Sequence, residues 1–156
     1  MHFRIVDIPE DASLRWHAAT LAVEEWKNDF PHDTVAWYLD LYKASDADEG
    51  LPVVLAAMEE SRFLGTGSLI EDDELPGATE PGPWVAALYV EESDRHRGIG
   101  AALVEALVQR ARDLGHEAVY LYTEHAAVWY DRMGWTRLRT ARLGGHDVTV
   151  MMRRTR

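Results

Sequence analysis

Residues 84–114 read WVAALYVEESDRHRGIGAALVEALVQRARDL, and this stretch decides the fold. Its first part, Trp84–Val90, is an apolar run long enough for a buried strand and short for a helix. Polar residues and a turn containing Gly98 and Gly100 follow it, and Gly115 stands where a helix cap is expected. Between the turn and that cap, apolar residues recur at helical spacing: Ile99, Leu103, Leu107, Ala111 and Leu114. The stretch therefore predicts strand, glycine turn and helix.

The turn has the properties of a phosphate site. Glycine lets the backbone approach a ligand closely, because it has no Cβ. The first amides of the following helix lack intrahelical partners, and the helix dipole makes this end electropositive. Arg95 and Arg97 add two positive charges beside that end, which an anionic ligand would balance. These features together favour a pyrophosphate.

Three phosphate-binding patterns compete for the turn. A Walker loop requires a lysine and a hydroxyl residue after its last glycine, where two alanines stand. A dinucleotide fingerprint requires a third glycine where Leu103 stands. The pattern R-x-x-G-x-G behind an apolar strand fits Arg95, Gly98 and Gly100 without a gap. Taken alone, the two glycines would also suit an ordinary strand–helix turn.

A second block of sequence follows the helix. Ala118–Thr123 (AVYLYT) predicts another strand, and Tyr130, Gly134 and Trp135 then form a Y-x-x-x-G-aromatic signature. In this order, the strand, the R-x-x-G-x-G turn, the helix, the second strand and the signature resemble the GCN5-related N-acetyltransferase (GNAT) superfamily. About residues 84–138 carry the resemblance, with weaker agreement along the whole chain.

Composition restricts the class of protein. With 156 residues and 47% hydrophobic content, a single domain spanning residues 1–156 is expected. The absence of cysteine excludes disulfides, a thiolate nucleophile and cysteine-ligated zinc. No apolar run approaches a membrane span, and His2–Pro9 has no signal-peptide pattern, so a cytoplasmic location is expected. The 7 histidines show no paired ligand spacing, so no metal site is predicted.

Charge is unevenly distributed along the chain, whose net charge is −11. Residues 1–90 hold 18 acidic and 5 basic side chains, whereas residues 91–156 hold 9 acidic and 11 basic ones. So acidic a chain is a poor candidate to bind nucleic acid or an anionic membrane. This distribution of charge suggests that residues 91–156 face a phosphorylated cofactor and residues 1–90 face a cationic acceptor. Solubility alone would also explain the carboxylates.

The first third of the chain predicts a strand and two helices. Phe3–Asp7 is the strand, Pro31 ends the first helix, and Asp33 is the expected N-cap of the second. The predicted apolar stripe of the first helix consists of Trp16, Ala19, Val23, Trp26 and Phe30.

Two hairpins account for most of the remaining strands. Pro52–Met58 and Phe63–Ile70 form the first, and glycines alternating within its second strand suggest a bulge or close packing. Trp135–Thr140 and Asp147–Arg153 form the last, joined at Gly144-Gly145. The element order is thus β, α, α, β, β, β, α, β, α, β, β. It predicts an α/β (α+β) fold with a mixed, mostly antiparallel sheet of six to seven strands and about four helices. A Rossmann domain needs several βαβ units, and one is present.

The resemblance implies acetyl-CoA as co-substrate, bound where a parallel strand pair splays apart. The pantetheine arm would follow the backbone of Leu88, Tyr89 and Val90. Thr123 stands where many members have an asparagine that contacts this arm. The pyrophosphate would lie on the turn residues Arg95, His96, Arg97, Gly98, Ile99, Gly100 and Ala101.

The resemblance also implies a role for Tyr130. Acyl transfer expels a thiolate, which a phenol within hydrogen-bond reach can protonate as general acid. Some members carry a catalytic glutamate where Trp84 stands, so the base that deprotonates the amine is open. The nearest carboxylates precede that strand, in a loop that would otherwise only be solvated: Glu71, Asp72, Asp73 and Glu74.

The acceptor side is predicted less directly. Trp37, Tyr38 and Tyr42 would either line an aromatic pocket for a cation or pack in the core. The leading hypothesis is acetylation of a small, cationic primary amine by direct attack. The alternatives are a protein or peptide acetyltransferase, acting on N-termini or lysines, and a non-catalytic CoA-binding sensor. A homodimer formed through the final strands is a further expectation.

Overall fold

The computed structural model describes residues 2–47 and 49–156. In this part of the chain, seven strands form one sheet in the order β1-β2-β3-β4-β5-β7-β6. The strands are β1 Arg4–Asp7, β2 Val53–Glu59, β3 Arg62–Ile70, β4 Trp84–Val90, β5 Ala118–Thr123, β6 Thr136–Leu143 and β7 His146–Arg154. The α-helices are α1 Ala12–Trp26, α2 Val35–Ala44, α3 Ile99–Asp113 and α4 Ala127–Asp131. The predicted order of elements and the mixed α/β class are confirmed.

The sheet contains one parallel strand pair among its described neighbours, as expected. All other pairs are antiparallel, and β4 runs parallel to β5. These two strands share register only at Trp84 and Tyr120, where the Tyr120 amide donates to the Pro83 carbonyl at 3.0 Å. Beyond that point they are not paired with each other. The sheet therefore opens between the carboxyl ends of β4 and β5.

Both faces of the sheet are covered, which explains why its central strands are continuously apolar. Side chains alternate along β2, so Leu55 and Ala57 join the core beneath α3, while Val54 and Ala56 join the core beneath α1 and α2. Leu107 of α3 is fully buried in the first of these cores. Burial of such a leucine side chain contributes about 1.5–3 kcal/mol to stability.

The first helix differs from its prediction in phase and in length. It ends at Trp26, before Pro31, and it buries Arg15, Ala18, Ala19 and Ala22. Trp16, predicted on the apolar stripe, is 59% exposed. Small alanines allow the helix to lie close to its neighbours. The Arg15 guanidinium is satisfied by the Pro9 and Ile8 carbonyls and by Asp46, so this cation can be buried at low cost.

The local sequence predicted the hairpins more accurately than the start of the second helix. Thr34, and not Asp33, caps α2, since its Oγ1 accepts from the Trp37 amide at 3.2 Å. The predicted irregularity in β3 is confirmed by its pairing with β2, since Ala57 pairs with Gly65 and Met58 with Phe63, which leaves Leu64 as an extra residue. No helix in the described ranges is long and apolar enough to cross a membrane.

Candidate functional site

A cavity of about 460 Å³ opens where β4 and β5 separate. Its walls come from the carboxyl ends of these strands, from the segment that joins α1 to α2, from α4 and from the turn between β6 and β7. Chain segments far apart in sequence therefore meet around one space. The size is typical of a site for a small molecule.

A β-bulge shapes the β4 wall of this cavity. Thr66 pairs with Tyr89 and Ser68 pairs with Ala86, so Ala87 and Leu88 together oppose Gly67. Ala87 has a φ of 52°, in the left-handed region. Both bulge residues lie at the cavity wall. The bulge therefore interrupts the regular pairing with β3 at the cavity wall.

The glycine turn lies at the start of α3. Gly98 is the N-cap residue, with φ 81° and ψ 9°, a conformation that side-chain-bearing residues rarely adopt. A Cβ built at Gly98 would meet nothing within 4 Å, so the backbone conformation and not crowding favours glycine there. At Gly100 a Cβ would stand 3.3 Å from the Trp129 ring, a contact that a small shift of that ring would have to relieve.

The arginines of the turn have different environments. Arg95 is exposed; its Nε donates to the Val90 carbonyl at 2.9 Å, and its guanidinium lies 5.6 Å from the centroid of the Tyr89 ring. Arg97 is mostly buried, and it donates to Asp94 at 2.8 Å and to Glu59 at 2.9 Å. The expectation that both cations await an anion is therefore wrong for Arg97, whose charge two carboxylates already match.

Arg62 completes this ion-pair cluster beneath the turn. It donates to Asp94 and to Glu59 as well. These hydrogen bonds from Arg62, followed by those from Arg97, hold the pKa of Asp94 and of Glu59 below the ordinary value for a carboxyl group. The cluster ties the segment before α3 to the β2–β3 hairpin, and so it fixes the position of the turn.

Tyr130 lies at the β5 side of the cavity, in the short helix α4. Its ring packs edge-on against Trp129 and Trp135, with ring centroids 4.9 and 5.7 Å away. Burial raises the pKa of the phenol well above its ordinary value, so the group remains protonated. Thr123 also lines the cavity, and its Oγ1 accepts from the Ala126 amide at 3.0 Å, which holds the approach to α4.

Of the four carboxylates in the acidic loop, Asp73 lines the cavity, and the other three are exposed. Burial, followed by the nearby carboxylates of Glu74, Asp33 and Asp72, raises the pKa of Asp73 well above its ordinary value. Tyr122 fixes the loop, since its hydroxyl donates to the Asp73 carbonyl at 3.0 Å. Trp84, where some relatives carry a glutamate, is a core residue that packs against Tyr122.

The first two helices contribute as expected, and they also supply carboxylates that sequence reasoning missed. Trp37 and Tyr38 line the cavity, whereas Tyr42 is buried in the core beneath α1 and α2. Asp33, read in the sequence as a helix cap, lines the cavity instead. Burial and the Glu74 carboxylate raise its pKa. The further charged or titratable lining residues are Glu25, Asp29, Glu124, His125 and His146.

A parallel strand pair that splays apart, with a glycine turn at the start of the next helix, is the arrangement that the resemblance implied for binding acetyl-CoA. The profile of the acetyltransferase (GNAT) family matches residues 12–135. The chain therefore belongs to the GNAT family, and the resemblance carried by the two motifs is confirmed. It is an acyltransferase whose family uses acetyl-CoA as donor.

Solved structures of similar fold agree with this assignment. An aminoglycoside 6′-N-acetyltransferase complexed with coenzyme A is 17% identical, with a TM-score of 0.77 over 98% of this chain and 97% of that chain. The PaiA N-acetyltransferase of Thermoplasma acidophilum in complex with coenzyme A is 16% identical, with a TM-score of 0.76 over 99% of both chains. YncA, a putative acetyltransferase from Salmonella typhimurium with acetyl-CoA, is 18% identical, with a TM-score of 0.70 over 100% and 95%. No curated protein matches in sequence.

Proposed function

We propose that this protein transfers the acetyl group of acetyl-CoA to a primary amine of a small cationic molecule. The observation that carries the proposal is the continuity of the site. The β4 bulge residues Ala87 and Leu88 line the cavity, and so does Trp129, whose ring would stand 3.3 Å from a Cβ at Gly100, so the glycine turn borders the same space. A cofactor held by its pyrophosphate at the turn would extend along β4 and present its thioester to the cavity.

The cofactor would be held mainly by backbone groups. The amides at the start of α3, from Gly98 to Ala101, would bind the pyrophosphate at the positive end of a 15-residue helix. Arg95 is exposed and can reach a phosphate, while Arg97 acts through its ion pairs with Asp94 and Glu59. The pantetheine arm would pair with the backbone near Leu88, where the bulge interrupts the ladder.

The reaction requires one base and one acid. The amine nitrogen attacks the thioester carbonyl carbon, and the carbon–nitrogen bond forms as the carbon–sulfur bond breaks. Asp73 is the best-supported base, since it alone among the four loop carboxylates lines the cavity and its raised pKa makes it a better proton acceptor. Tyr130 would donate a hydrogen bond or a proton to the departing thiolate. An amide of Ala87 or Leu88 would stabilise the negatively charged carbonyl oxygen.

The charge of the cavity supports a cationic acceptor. Five carboxylates line it, and burial together with mutual repulsion raises the pKa of Asp33 and of Asp73. A bound cation would relieve that repulsion. Trp37 and Tyr38 add ring faces, to which a cation is attracted. The 6′-N-acetyltransferases of similar fold act on aminoglycosides, whose chemistry as polyamines agrees with such a pocket. The carboxylates are Glu25, Asp29, Asp33, Asp73 and Glu124.

The proposal is tested by following release of free thiol from acetyl-CoA in the presence of different acceptors. The panel should contain polyamines, aminoglycosides, neutral and anionic amines of equal size, and peptides with a free N-terminus or lysine. We expect turnover with cationic small molecules and little with anionic ones. Preferred turnover of peptides would favour the protein acetyltransferase alternative. Binding of acetyl-CoA without transfer to any acceptor would favour a CoA-binding sensor.

A further inference from the structure

Three side chains from distant parts of the sequence meet at the acceptor end of the cavity. Asp29 follows α1, Glu124 follows β5, and His146 begins β7. One ligand atom from each lies within 4.8 Å of those of the other two. The histidine Nε2 atom is 3.3 Å from Asp29 Oδ1 and 3.3 Å from Glu124 Oε2. All three residues line the cavity, so the group borders the space that a ligand would occupy.

The Nε2 atom of His146 has no ordinary partner in this arrangement. It is inaccessible to solvent, and neither carboxylate oxygen meets it in hydrogen-bond geometry. A buried imidazole nitrogen that lacks a hydrogen bond is costly, since it has lost water without compensation. His125, which lies 3.3 Å from the other oxygen of Glu124, is 85% exposed and does not provide the missing hydrogen bond to this nitrogen. The geometry thus brings an imidazole nitrogen without a hydrogen-bond partner together with two carboxylate oxygens.

The distances between the three ligand atoms distinguish a site for a zinc ion from a site for an ammonium group. In a tetrahedral zinc site with bonds of about 2.0–2.2 Å, neighbouring ligand atoms lie about 3.3–3.6 Å apart. Around an ammonium group with hydrogen bonds of about 2.8–2.9 Å, neighbouring acceptors lie about 4.6–4.7 Å apart. The two histidine–carboxylate separations, both 3.3 Å, match the first value. The His146 nitrogen therefore lies too close to each carboxylate oxygen for the pair to share the ammonium group of an acceptor.

We propose that Asp29, Glu124 and His146 form a binding site for a divalent transition-metal ion of the zinc class. One imidazole nitrogen and two carboxylate oxygens supply three ligands, and the open cavity leaves a fourth position for water. An imidazole ligand favours such an ion over Mg²⁺, which prefers oxygen ligands. Gly144 makes room for the site, since a Cβ there would stand 3.3 Å from Asp29 Oδ1 and 3.8 Å from the His146 ring. The metal would occupy the acceptor end of the cavity.

Sequence spacing could not reveal this group, because its members come from three separate turns. The sequence-based prediction of no metal site rested on the absence of paired histidines. One histidine joined by two carboxylates from elsewhere carries no such local signature. The proposal therefore replaces that prediction.

The test is calorimetric titration of the metal-free protein with ZnCl₂, without acetyl-CoA or acceptor, so that its outcome is independent of the proposed reaction. We expect one saturable site in the parent protein. His146→Gln should weaken zinc binding at least about tenfold, because even loss of an outer partner typically costs 10–100-fold. His116→Gln is the matched control, since His116 lies outside the cavity, between α3 and β5. It should leave zinc affinity unchanged.

A second reporter identifies the ligand set. Co²⁺ should show visible absorption bands of a four-coordinate site in the parent protein and in His116→Gln, and these bands should be lost in His146→Gln and in Asp29→Asn. The Asp29 variant also serves if His146→Gln fails to fold, which circular dichroism would show. Absence of saturable zinc binding by the parent, or equal affinity in both histidine variants, would overturn the proposal. Equal competition by Mg²⁺ would do so too.

Discussion

Tyr130 combines two properties that bear on acyl transfer. It lies at the cavity wall, and burial raises its pKa. A thiol titrates near 8.5 and an unperturbed tyrosine near 10, so proton transfer from this phenol to the thiolate is uphill, and more so after burial. The advantage of burial is that the hydroxyl never ionises at neutral pH. Tyr130 would therefore act by a strong hydrogen bond that becomes a proton transfer as the sulfur gains charge.

Replacing Tyr130 by phenylalanine should lower kcat about 10²–10⁴-fold and leave the affinity for acetyl-CoA nearly unchanged, because a general acid acts in the transition state. Tyr42→Phe is the control, since Tyr42 is equally buried but lies in the core beneath α1 and α2. Steady-state kinetics and calorimetry with acetyl-CoA are the measurements. A kcat within about twofold of the parent value would mean that water protonates the thiolate and that Tyr130 is structural.

Removing the carboxylate of Asp73 should raise the stability of the protein but lower its activity. Its pKa is raised in the folded protein, so between the unfolded and folded pKa values the folded state binds more protons. Stability contributed by this group therefore falls as pH rises, and at neutral pH its ionised form is a net cost. Asp73→Asn should raise Tm at neutral pH, flatten part of the dependence of Tm on pH, and lower kcat/KM.

Thermal melting at several pH values and the pH profile of kcat/KM test this expectation. Glu71→Gln, a change at an exposed carboxylate of the same loop that is not among those raising the pKa of Asp73, should leave both nearly unaltered. A fall in Tm on Asp73→Asn would show that the carboxylate is stabilising. Unchanged kcat/KM would transfer the role of base to another carboxylate or to an ordered water.

Among the elements, the glycine turn and the helix that follows it would contribute most to holding the cofactor. Gly98 has open space around its missing Cβ, so its conformation and not crowding explains the glycine. The ion pairs among Arg62, Arg97, Asp94 and Glu59 hold the segment before the turn against the β2–β3 hairpin. Affinity for the cofactor would thus depend on a backbone geometry that these ion pairs support.

Gly98→Ala should weaken acetyl-CoA binding at least about tenfold, since the added Cβ disfavours the left-handed conformation and enters the space beside the amides. Gly115→Ala is a matched control. That glycine also has a positive φ, 91°, and open space around it, but it lies at the other end of α3. Both variants should lose similar stability, and only the first should lose affinity for acetyl-CoA by calorimetry. Equal affinity in a folded Gly98→Ala protein would contradict the phosphate assignment.

At the scale of the whole molecule, some of the acidic side chains that residues 1–90 hold in excess line the cavity. Glu25, Asp29, Asp33 and Asp73 come from this region, and Glu124 joins them from the second part of the chain. Carboxylates around a cleft raise the local concentration of cations, an effect that salt screens. The majority of the chain's acidic residues lie elsewhere, either in ion pairs such as those of Asp46 and Asp94 or at exposed positions.

KM for a cationic acceptor should consequently rise with ionic strength. Glu25→Gln combined with Asp33→Asn should raise that KM several-fold and reduce its salt dependence, while KM for acetyl-CoA stays nearly unchanged. Glu60→Gln combined with Glu117→Gln alters net charge equally at exposed positions outside the cavity, and it should have little effect. If both double variants behave alike, net charge and not the cavity governs capture of the acceptor.

Much of the fold was predictable because its signals are local. The apolar run of β4 and the glycines of the turn set Trp84–Val90 and the start of α3 at their predicted positions, since each signal lies within a few residues of the structure it specifies. The same holds for β5 and for the turn at Gly144-Gly145. The buried face of helix α1 was harder to predict. Three of its residues are alanines, and no periodic pattern of large apolar residues identified this face.

The arrangement of charged side chains was decided by the tertiary structure alone. The sequence could place Arg95 and Arg97 in one turn, but only packing against the β2–β3 hairpin gives Arg97 its carboxylate partners. It could mark an acidic loop, but only the paths of neighbouring elements bring Asp73 into the cavity. The hydrogen bonds of a helix or turn join residues a few positions apart, so the local sequence predicts them. Which charged side chains face each other across a cavity depends instead on contacts between segments that are distant in sequence.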